Sequence, residues 1–402
     1  MDSRSIGNTI AALRKKCGLT QIELAERLNV SNKAVSKWEN GQGYPDISIF
    51  PALASLFGVS IDYLMLQKKG IAVAGNIVTD IVKSIERYPE AGKLTNITSF
   101  SSAVGGCPPN VGIDLARMDP HLSVYAFGRV GNDENGRFIL SKLAANGINI
   151  DGVVYSKDQP TSFTDVMSVP GGERTFFHVR GANAEFSPED INVKNLNCDI
   201  LHIGYVLLLD KFDAPDPKYG TVMAKFLSDV QHEGIRTSLD MVSDSSGNYA
   251  DKVIPALRYC DYFIVNELEI CGIFDLSPRR ENGEIDLENV HLAMRKAAEC
   301  GVLRKVIVHA KEIGFVLDVK TGAIISVNSL KIPKEEIKGS VGAGDAFCAG
   351  CLYGLYNNYS DQQLLEFASA AAACSLFAAN SVDGMRSAAQ IRQMSEKYGR
   401  LK

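Results

Sequence analysis

Gly339-Ser340-Val341-Gly342-Ala343-Gly344-Asp345-Ala346-Phe347-Cys348-Ala349-Gly350 leads small residues up to one carboxylate, then sets Ala346, Phe347, Ala349, Gly350 and Leu352 at helical spacing. The pattern predicts a turn that feeds a helix. N–H groups at such a start, around Ala343 and Gly344, lie at the positive end of the helix dipole, and glycine lets a phosphate approach the backbone. Gly342, Ala343 and Gly344 therefore form a candidate anion cradle. Asp345, in the first helical turn, stands beside any anion held there and can accept a proton from an attacking hydroxyl. Cradle plus base suggests phosphoryl transfer. The same string also fits a plain tight turn whose carboxylate merely stabilises the helix start, and four residues do not separate the two readings.

The wider chain supplies the context. Its 402 residues, 46% hydrophobic and 22% charged, are long for one domain and ordinary for a soluble globular protein, so two domains are expected. Nine scattered cysteines, an odd number, with no secretory pattern at the start, favour the reducing cytoplasm. Cys348 and Cys351 make a lone CxxC inside the small-residue helix, read as packing residues. The most apolar run, Leu364 to Ala379, is interrupted by Glu366 and short for a bilayer span, so no membrane partner is expected. Residues 1–69 carry nine Lys/Arg against six Asp/Glu, whereas the remainder is acidic. That asymmetry is compatible with a nucleic-acid module joined to an acidic enzyme.

In the basic part, Ile6, Ile10 and Leu13 recur at helical spacing before Arg14-Lys15-Lys16 and the stop at Gly18. Thr20 caps a second helix, with Glu23 in capping-box position. Ser31 caps a third, Asn32 to Glu39, ended by Asn40-Gly41. Pro45–Phe57 and Ile61–Leu66 add two more. Two helices joined by a short turn form the arrangement whose second helix enters the DNA major groove. Leu19-Thr20-Gln21, Leu24-Ala25, Val35-Ser36-Lys37-Trp38-Glu39-Asn40-Gly41 and Val59-Ser60-Ile61-Asp62-Tyr63-Leu64 resemble the Cro/C1-type, xenobiotic-response-element helix-turn-helix family over residues 5–66. The resemblance implies that Asn32, Lys33, Ser36 and Lys37 reach base edges and that Gln21 and Asn40 hold phosphates of double-stranded DNA. Lys33 and Lys37 also fit simple solvated charges, and Leu24, Ala25, Val35 and Trp38 read as core. Reading two half-sites calls for a homodimer.

After the short junction Leu66-Gln67-Lys68-Lys69-Gly70, β-rich runs alternate with helical ones: Ile71–Ala74, Val124–Phe127, Ile200–Ile203, Thr237–Leu239, Tyr262–Val265 and Val306–Val308. The alternation predicts a mainly parallel sheet covered on both faces, with ligands at the strand C-terminal ends. Asn76, Asp80, Asp240, Asn266 and His309 fall there. Residues 81–103 and 161–180, the latter with the turn Pro170-Gly171-Gly172-Glu173, read instead as antiparallel ribbons that could cover the crevice and exclude water.

These motifs, in order, resemble the ribokinase-like, phosphofructokinase B type carbohydrate and nucleoside kinases. Gly75-Asn76-Ile77-Val78-Thr79-Asp80 matches the family's first substrate loop, Gly105-Gly106-Cys107-Pro108-Pro109-Asn110 its GGxxxN signature, and Gly128-Arg129-Val130-Gly131-Asn132-Asp133 with Gly136 its next glycine-rich stretch. Gly181-Ala182-Asn183 follows the second ribbon, Asn266-Glu267-Leu268-Glu269 matches NxxE, and Gly342-Ala343-Gly344-Asp345 matches the terminal GAGD. The resemblance implies an α/β chain: a five-helix DNA-binding domain over 1–69, then a three-layer ribokinase-like kinase domain over 70–402 with a small β lid. It implies Asp80, Asn76, Gly105, Gly106, Asn110 and Asn183 on the sugar or nucleoside side. Asn266, Glu269, His309, Gly314, Gly342 and Gly344 fall on the ATP side, with Glu269 reaching Mg2+ through water and Asp345 as base. Single positions keep plainer readings: Asp80 and Asn266 as turn caps, Glu269 as a solvated helix residue, His309 as a hydrogen-bonded crevice wall. Gly339-Ser340 stands where the family usually has Asp-Thr, part of a monovalent-cation site, so potassium dependence stays open. His309-Ala310-Lys311 replaces the usual Thr-Leu-Gly on the nucleotide side. Kinase activity on a sugar-like hydroxyl is the first expectation; a sugar- or nucleotide-sensing regulator with a weakened kinase, or a nucleoside kinase, are the alternatives.

Overall fold

A computed structural model describes residues 3–59, 61–66, 69–169, 174–242 and 249–402. Ser60, Gln67 and Lys68 and the turn Pro170 to Glu173 lie outside them. The chain divides into two compact units, one of Met1–Gly70 with the short segments Pro120–Ser123 and Asn197–Asp199, the other of the remainder.

The first unit holds α1 (Ser3–Lys16), α2 (Gln21–Arg27), α3 (Asn32–Glu39), α4 (Phe50–Phe57) and α5 (Ile61–Leu66), with local side-chain caps at the starts of α2 and α3. Thr20 and Glu23 form the expected capping box, and Ser31 Oγ accepts the Ala34 N–H. The helix expected from Pro45 opens instead as a 3-10 turn, Ile47–Ile49, capped by Asp46, and turns α-helical only at Phe50. Ile10, Leu24, Val35, Trp38, Leu53 and Leu64 meet in one core.

In the second unit, β1 (Ile71–Gly75) leads into β2 (Val78–Ile85), β3 (Ile97–Gly105), α6 (Cys107–Met118), β4 (Val124–Gly131), α7 (Glu134–Ala145) and β5 (Asn149–Ser156). Next come β6 (Ser162–Ser168), β7 (Arg174–Val179), β8 (Ile200–Val206) and the two-residue strands β9 (Pro215–Asp216) and β10 (Gly220–Thr221). They are followed by α8 (Val222–His232), β11 (Arg236–Met241), α9 (Tyr249–Leu257), β12 (Tyr262–Asn266), α10 (Glu267–Ile273) and α11 (Leu287–Glu299). The chain closes with β13 (Lys305–His309), β14 (Ile313–Asp318), β15 (Ile324–Asn328), α12 (Ala343–Tyr356), α13 (Asp361–Ser375) and α14 (Ala388–Lys397). Among the described residues, nine strands make the main sheet, in the order β15-β14-β13-β12-β11-β8-β1-β4-β5. From β5 to β13 the pairing is parallel, and the central strand β1 is apolar and buried along its whole length, as coverage of both faces requires. β14 and β15 add an antiparallel edge beyond the parallel set.

The two expected ribbons exist as β2 with β3 and β6 with β7. They are not separate flaps: β2 and β6 pair in parallel, Asp80 opposite Thr164, joining all four strands into one lid sheet, β3-β2-β6-β7. The alternation of β1, β8, β11, β12 and β13 with helices brings five strand C-termini to one edge, where α12 begins.

Candidate active site

Gly342 has φ +80 and caps the start of α12. A methyl on it would lie 2.5 Å from Ser381 Cβ, so only glycine allows this turn to pass over Ser381. The helical ladder begins with the Ala346 N–H donating to Gly342 O at 2.8 Å, which places the N–H groups of Gly344 and Asp345 ahead of it. The Ala343 N–H is turned to Ser340 O over a long 3.4 Å. Gly344 is the open member of the pair: a methyl there would meet only the His309 ring, at 3.4 Å and 3.6 Å.

Asp345 projects from the first turn into a cavity of about 220 Å³ that it lines with Tyr205, Asp240, Asn266, Glu269 and Gly344. The Asn110 amide donates to its Oδ2 at 2.9 Å, and the Tyr205 hydroxyl reaches Oδ1 and Oδ2 at 3.0 Å and 3.1 Å. Burial pushes the carboxyl up to about 7, with Asp240 and Asp80 pushing the same way and the hydrogen bonds from Asn110 and Tyr205 opposing. A carboxylate that titrates near neutrality suits a general base. Asp240, at the end of β11, accepts the Tyr205 N–H at 2.6 Å and faces His202 Nε2 at 3.3 Å.

On the acceptor side, Asp80 sits on β2, and burial lifts its carboxyl to about 6 against a hydrogen bond from Thr164. A methyl on Gly105 would come within 2.4 Å of Asp80 Oδ2, so that glycine makes room for the carboxylate. Gly106, with φ +86, packs against the Asn76 carbonyl, and Asn76 Oδ1 is buried without a hydrogen-bond partner. An orphaned acceptor in this position fits a ligand hydroxyl.

Two expected acceptor contacts have other work in this structure. Asn183 gives both ends of its amide to the Ile77 backbone at 3.1 Å, pinning the loop between β1 and β2 rather than facing a ligand. Asn110 is held on one side by Ser381 Oγ at 2.7 Å and on the other by Asp345, so it orients the base. A side-chain amide satisfies backbone, side chain or ligand equally well, and a motif does not show which.

On the other side of Gly344, an apolar cavity of about 570 Å³ runs past His309, Lys311, Leu330, Phe347, Ser369 and Leu376. His309, Ser340, Ala343 and Gly344 line both cavities. His309 stacks near Phe347 with ring centres 4.9 Å apart, and burial drops its imidazole to about 4 against the pull of Asp240, leaving it neutral. Its ring forms part of the wall of both cavities. Ser369 Oγ is buried there without a partner. An apolar slot opening onto a polar helix start fits a nucleobase and its phosphates. Gly314 does not reach the slot: a methyl on it would meet Leu365 and Phe347 at 3.2 Å and 3.3 Å, so it serves packing behind the ring. Asn266 and Glu269 form a reciprocal capping box, each backbone N–H donating to the other side chain at 2.9 Å and 2.8 Å. Both also line the polar cavity, where the Glu269 carboxylate is the donor type that magnesium takes through water.

Tyr205 and Ser381 carried no signal in the sequence. Tyr205 lies inside an apolar strand run, and its left-handed backbone, φ 66, breaks the alternation where the hydroxyl meets Asp345. Ser381 lies in a stretch with no motif.

In the first unit, α3 presents Asn32, Lys33, Lys37 and Asn40 to solvent with Ser36 half-buried beside them, a polar stripe opposite buried Val35 and Trp38. Gln21 is tied down: its amide donates to Glu39 Oε2 at 2.6 Å. Glu39 also accepts from Arg14 at 2.6 Å and 3.0 Å, and burial of that carboxyl is outweighed by these bonds, which hold it below the usual range. Asn40 donates back to Ser36 Oγ at 3.3 Å.

A doubly wound sheet, a lid sheet, and a glycine-framed acid at a helix start between a polar and an apolar cavity define a carbohydrate kinase, a phosphotransferase with an alcohol group as acceptor. The chain belongs to the pfkB family of carbohydrate kinases, whose profile matches residues 68–387, and it carries a helix-turn-helix domain matched over residues 10–64. It is 28% identical over 320 residues to a 5-dehydro-2-deoxygluconokinase of Geobacillus kaustophilus, covering 75% of this chain and 87% of that protein. A ribokinase of Arabidopsis thaliana is 26% identical over 306 residues, 75% of this chain and 74% of that one. In fold, the chain is similar to Arabidopsis thaliana ribokinase complexed with ribose and ATP, with a TM-score of 0.67 at 21% identity over 81% of this chain and 98% of that one. Among the described residues, no helix is long and apolar enough to cross a membrane.

Proposed function

We propose that this chain transfers the γ-phosphoryl group of ATP to a hydroxyl of a sugar or sugar-like substrate, and that its N-terminal domain binds double-stranded DNA. The observation that carries the first part is Asp345: a near-neutral acid at the start of α12, held by Asn110 and Tyr205 where the two cavities meet. The acceptor hydroxyl oxygen forms a bond to phosphorus as the bond from phosphorus to the ADP oxygen breaks, and the hydroxyl proton passes to Asp345. N–H groups at Gly344 and Asp345 face the charge that builds on the transferred group. Asp80 and Asn76 hold neighbouring hydroxyls, while the apolar slot at Phe347 takes the base. Glu269 would hold Mg2+ through water, and the ion would supply positive charge to the phosphates. The kinase relatives and the ATP complex of a fold relative support the reading.

The test is ADP release across a panel of sugars, ketoses and nucleosides. Turnover on a sugar supports the proposal, with Asp345→Asn lowering kcat on the order of 10²–10⁴-fold. No turnover on any compound, with sugar and ATP still binding by thermal shift, refutes it and leaves a metabolite-sensing regulator. Turnover on nucleosides alone moves the acceptor class. Nine cysteines, none of them in a disulfide, support a cytoplasmic, reducing setting. The polar stripe of α3 supports the DNA-binding role, and two half-sites would call for a homodimer, measurable by light scattering.

A further inference from the structure

Tyr205 occupies a backbone conformation that a tyrosine rarely adopts. Its φ is 66, and two residues on Leu207 has φ 85, a left-handed value that is a true outlier for a bulky side chain. The turn is braced from three sides. Asp240 accepts the Tyr205 N–H at 2.6 Å; His202 stands 3.3 Å from Asp240 and bonds Ser238 through Nδ1 at 3.0 Å; and Gly204 has no side chain, where a methyl would lie 2.3 Å from Cys107 Sγ. Such bracing of a strained turn points to a task for what the turn carries. What it carries is one hydroxyl, 3.0 Å and 3.1 Å from the two oxygens of Asp345.

We propose that Tyr205 is a positioning residue for this kinase: its phenol hydroxyl fixes which face of the Asp345 carboxylate meets the acceptor and holds that carboxylate in its charged form. The inference rests on the reading of Asp345 as the base. A phenylalanine would fill the same space, so the hydroxyl is not needed for packing, and a donor aimed at both oxygens is worth most when the acceptor is charged. The groups facing Asp345 are Asp240 from β11, Asp80 from β2, Asp114 and Cys107 from α6, Cys348 from its own helix and Tyr205 from β8. Asp240 and Asp80 oppose the charge, burial holds Asp114, Cys107 and Cys348 in their neutral forms, and the hydrogen bonds from Asn110 and Tyr205 stabilise it.

The experiment is the pH profile of kcat/KM for the wild type and Tyr205→Phe, with Asp345→Asn alongside. Loss of a hydrogen bond to a charged acceptor moves the acid limb of Tyr205→Phe to higher pH by about one unit, so activity falls about tenfold at pH 6 and within about threefold of wild type at pH 8.5. A merely structural role lowers activity evenly at all pH values. Fluorotyrosine placed at position 205, a stronger donor of the same shape, moves the limb the other way and keeps the test open should Tyr205→Phe fold poorly. An unshifted limb in both, with Asp345→Asn inactive, overturns the role of Tyr205 and leaves the base assignment standing. An active Asp345→Asn overturns the base assignment, and this inference with it.

Discussion

Gly344→Ala separates the anion cradle from ordinary turn chemistry because stability and activity should move in opposite directions. Gly344 is the second residue of α12, its φ is not left-handed, and a methyl there contacts only the His309 ring at 3.4 Å and 3.6 Å. Nothing must shift, and replacing a helical glycine by alanine stabilises the native helix by roughly 0.5 kcal/mol. Thermal unfolding should therefore rise by about 1 °C. The methyl, however, stands where the two cavities meet. If a phosphoryl oxygen packs against the Gly344 backbone, the methyl displaces it by about 1 Å, a misplacement that lowers kcat/KM on the order of 10²-fold. An ADP-coupled assay at saturating sugar with varied ATP reads the loss, and differential scanning fluorimetry reads the stability. Gly342→Ala is the contrasting control: with φ +80 and a clash of 2.5 Å against Ser381 Cβ, it should lose stability and activity together. If Gly344→Ala is more stable and keeps kcat/KM for ATP within about threefold, the phosphate does not lie on that backbone and the cradle is misplaced.

Three other outcomes follow from the geometry. In the wild type, kcat/KM should rise with pH through about 7, because Asp345 must lose its proton to serve as base and burial beside Asp240 and Asp80 has raised it there; a flat profile from pH 5.5 to 8.5 contradicts this. Gly105→Ala should raise KM for the sugar about tenfold or more with kcat changed less, since its methyl would sit 2.4 Å from Asp80 Oδ2 and drive that carboxylate from its place. Glu39→Ala should destabilise the N-terminal unit by about 3 kcal/mol, because Arg14, with a side chain only 10% exposed, is left unpaired; Trp38, the chain's single tryptophan and buried in that unit, reports the melt by fluorescence.

The helix starts were legible because caps are local: Thr20 with Glu23 and Ser31 with Ala34 act within three residues. The parallel sheet was legible from apolar runs spaced by helices. Two adjoining ribbons could be read from their own strands, yet their union through β2 and β6 could not, since pairing between distant strands leaves no local pattern. In the site, motif spacing located Asp345 but not the division of labour around it. Gly342 is required by φ and by Ser381, whereas Gly344 stands where a methyl fits the fold, and both are the same letter. Asn183 and Asn110 have the residue type that binds sugars, but their amides turn to Ile77 and to Asp345. Tyr205 escaped notice because a left-handed turn, not a sequence period, aims it.

Two acids that feel each other's charge cannot be treated as one that binds and one that reacts. Burial has lifted Asp80 to about 6 and Asp345 to about 7, and the charge of Asp80 is among the causes that raise Asp345. A polyol that donates hydroxyls to Asp80 favours the charged form of that carboxylate, which in turn favours the proton on Asp345. The donors Asn110 and Tyr205 act against this, since both strengthen when Asp345 is charged. Acceptor recognition and base strength are thus linked through the field between two side chains, one on the lid sheet and one on α12. Asp80→Asn, which removes the Asp80 charge, both weakens sugar binding and makes Asp345 easier to ionise, so KM rises while the acid limb moves to lower pH. Any account of specificity at this site has to treat the pair as one titrating unit.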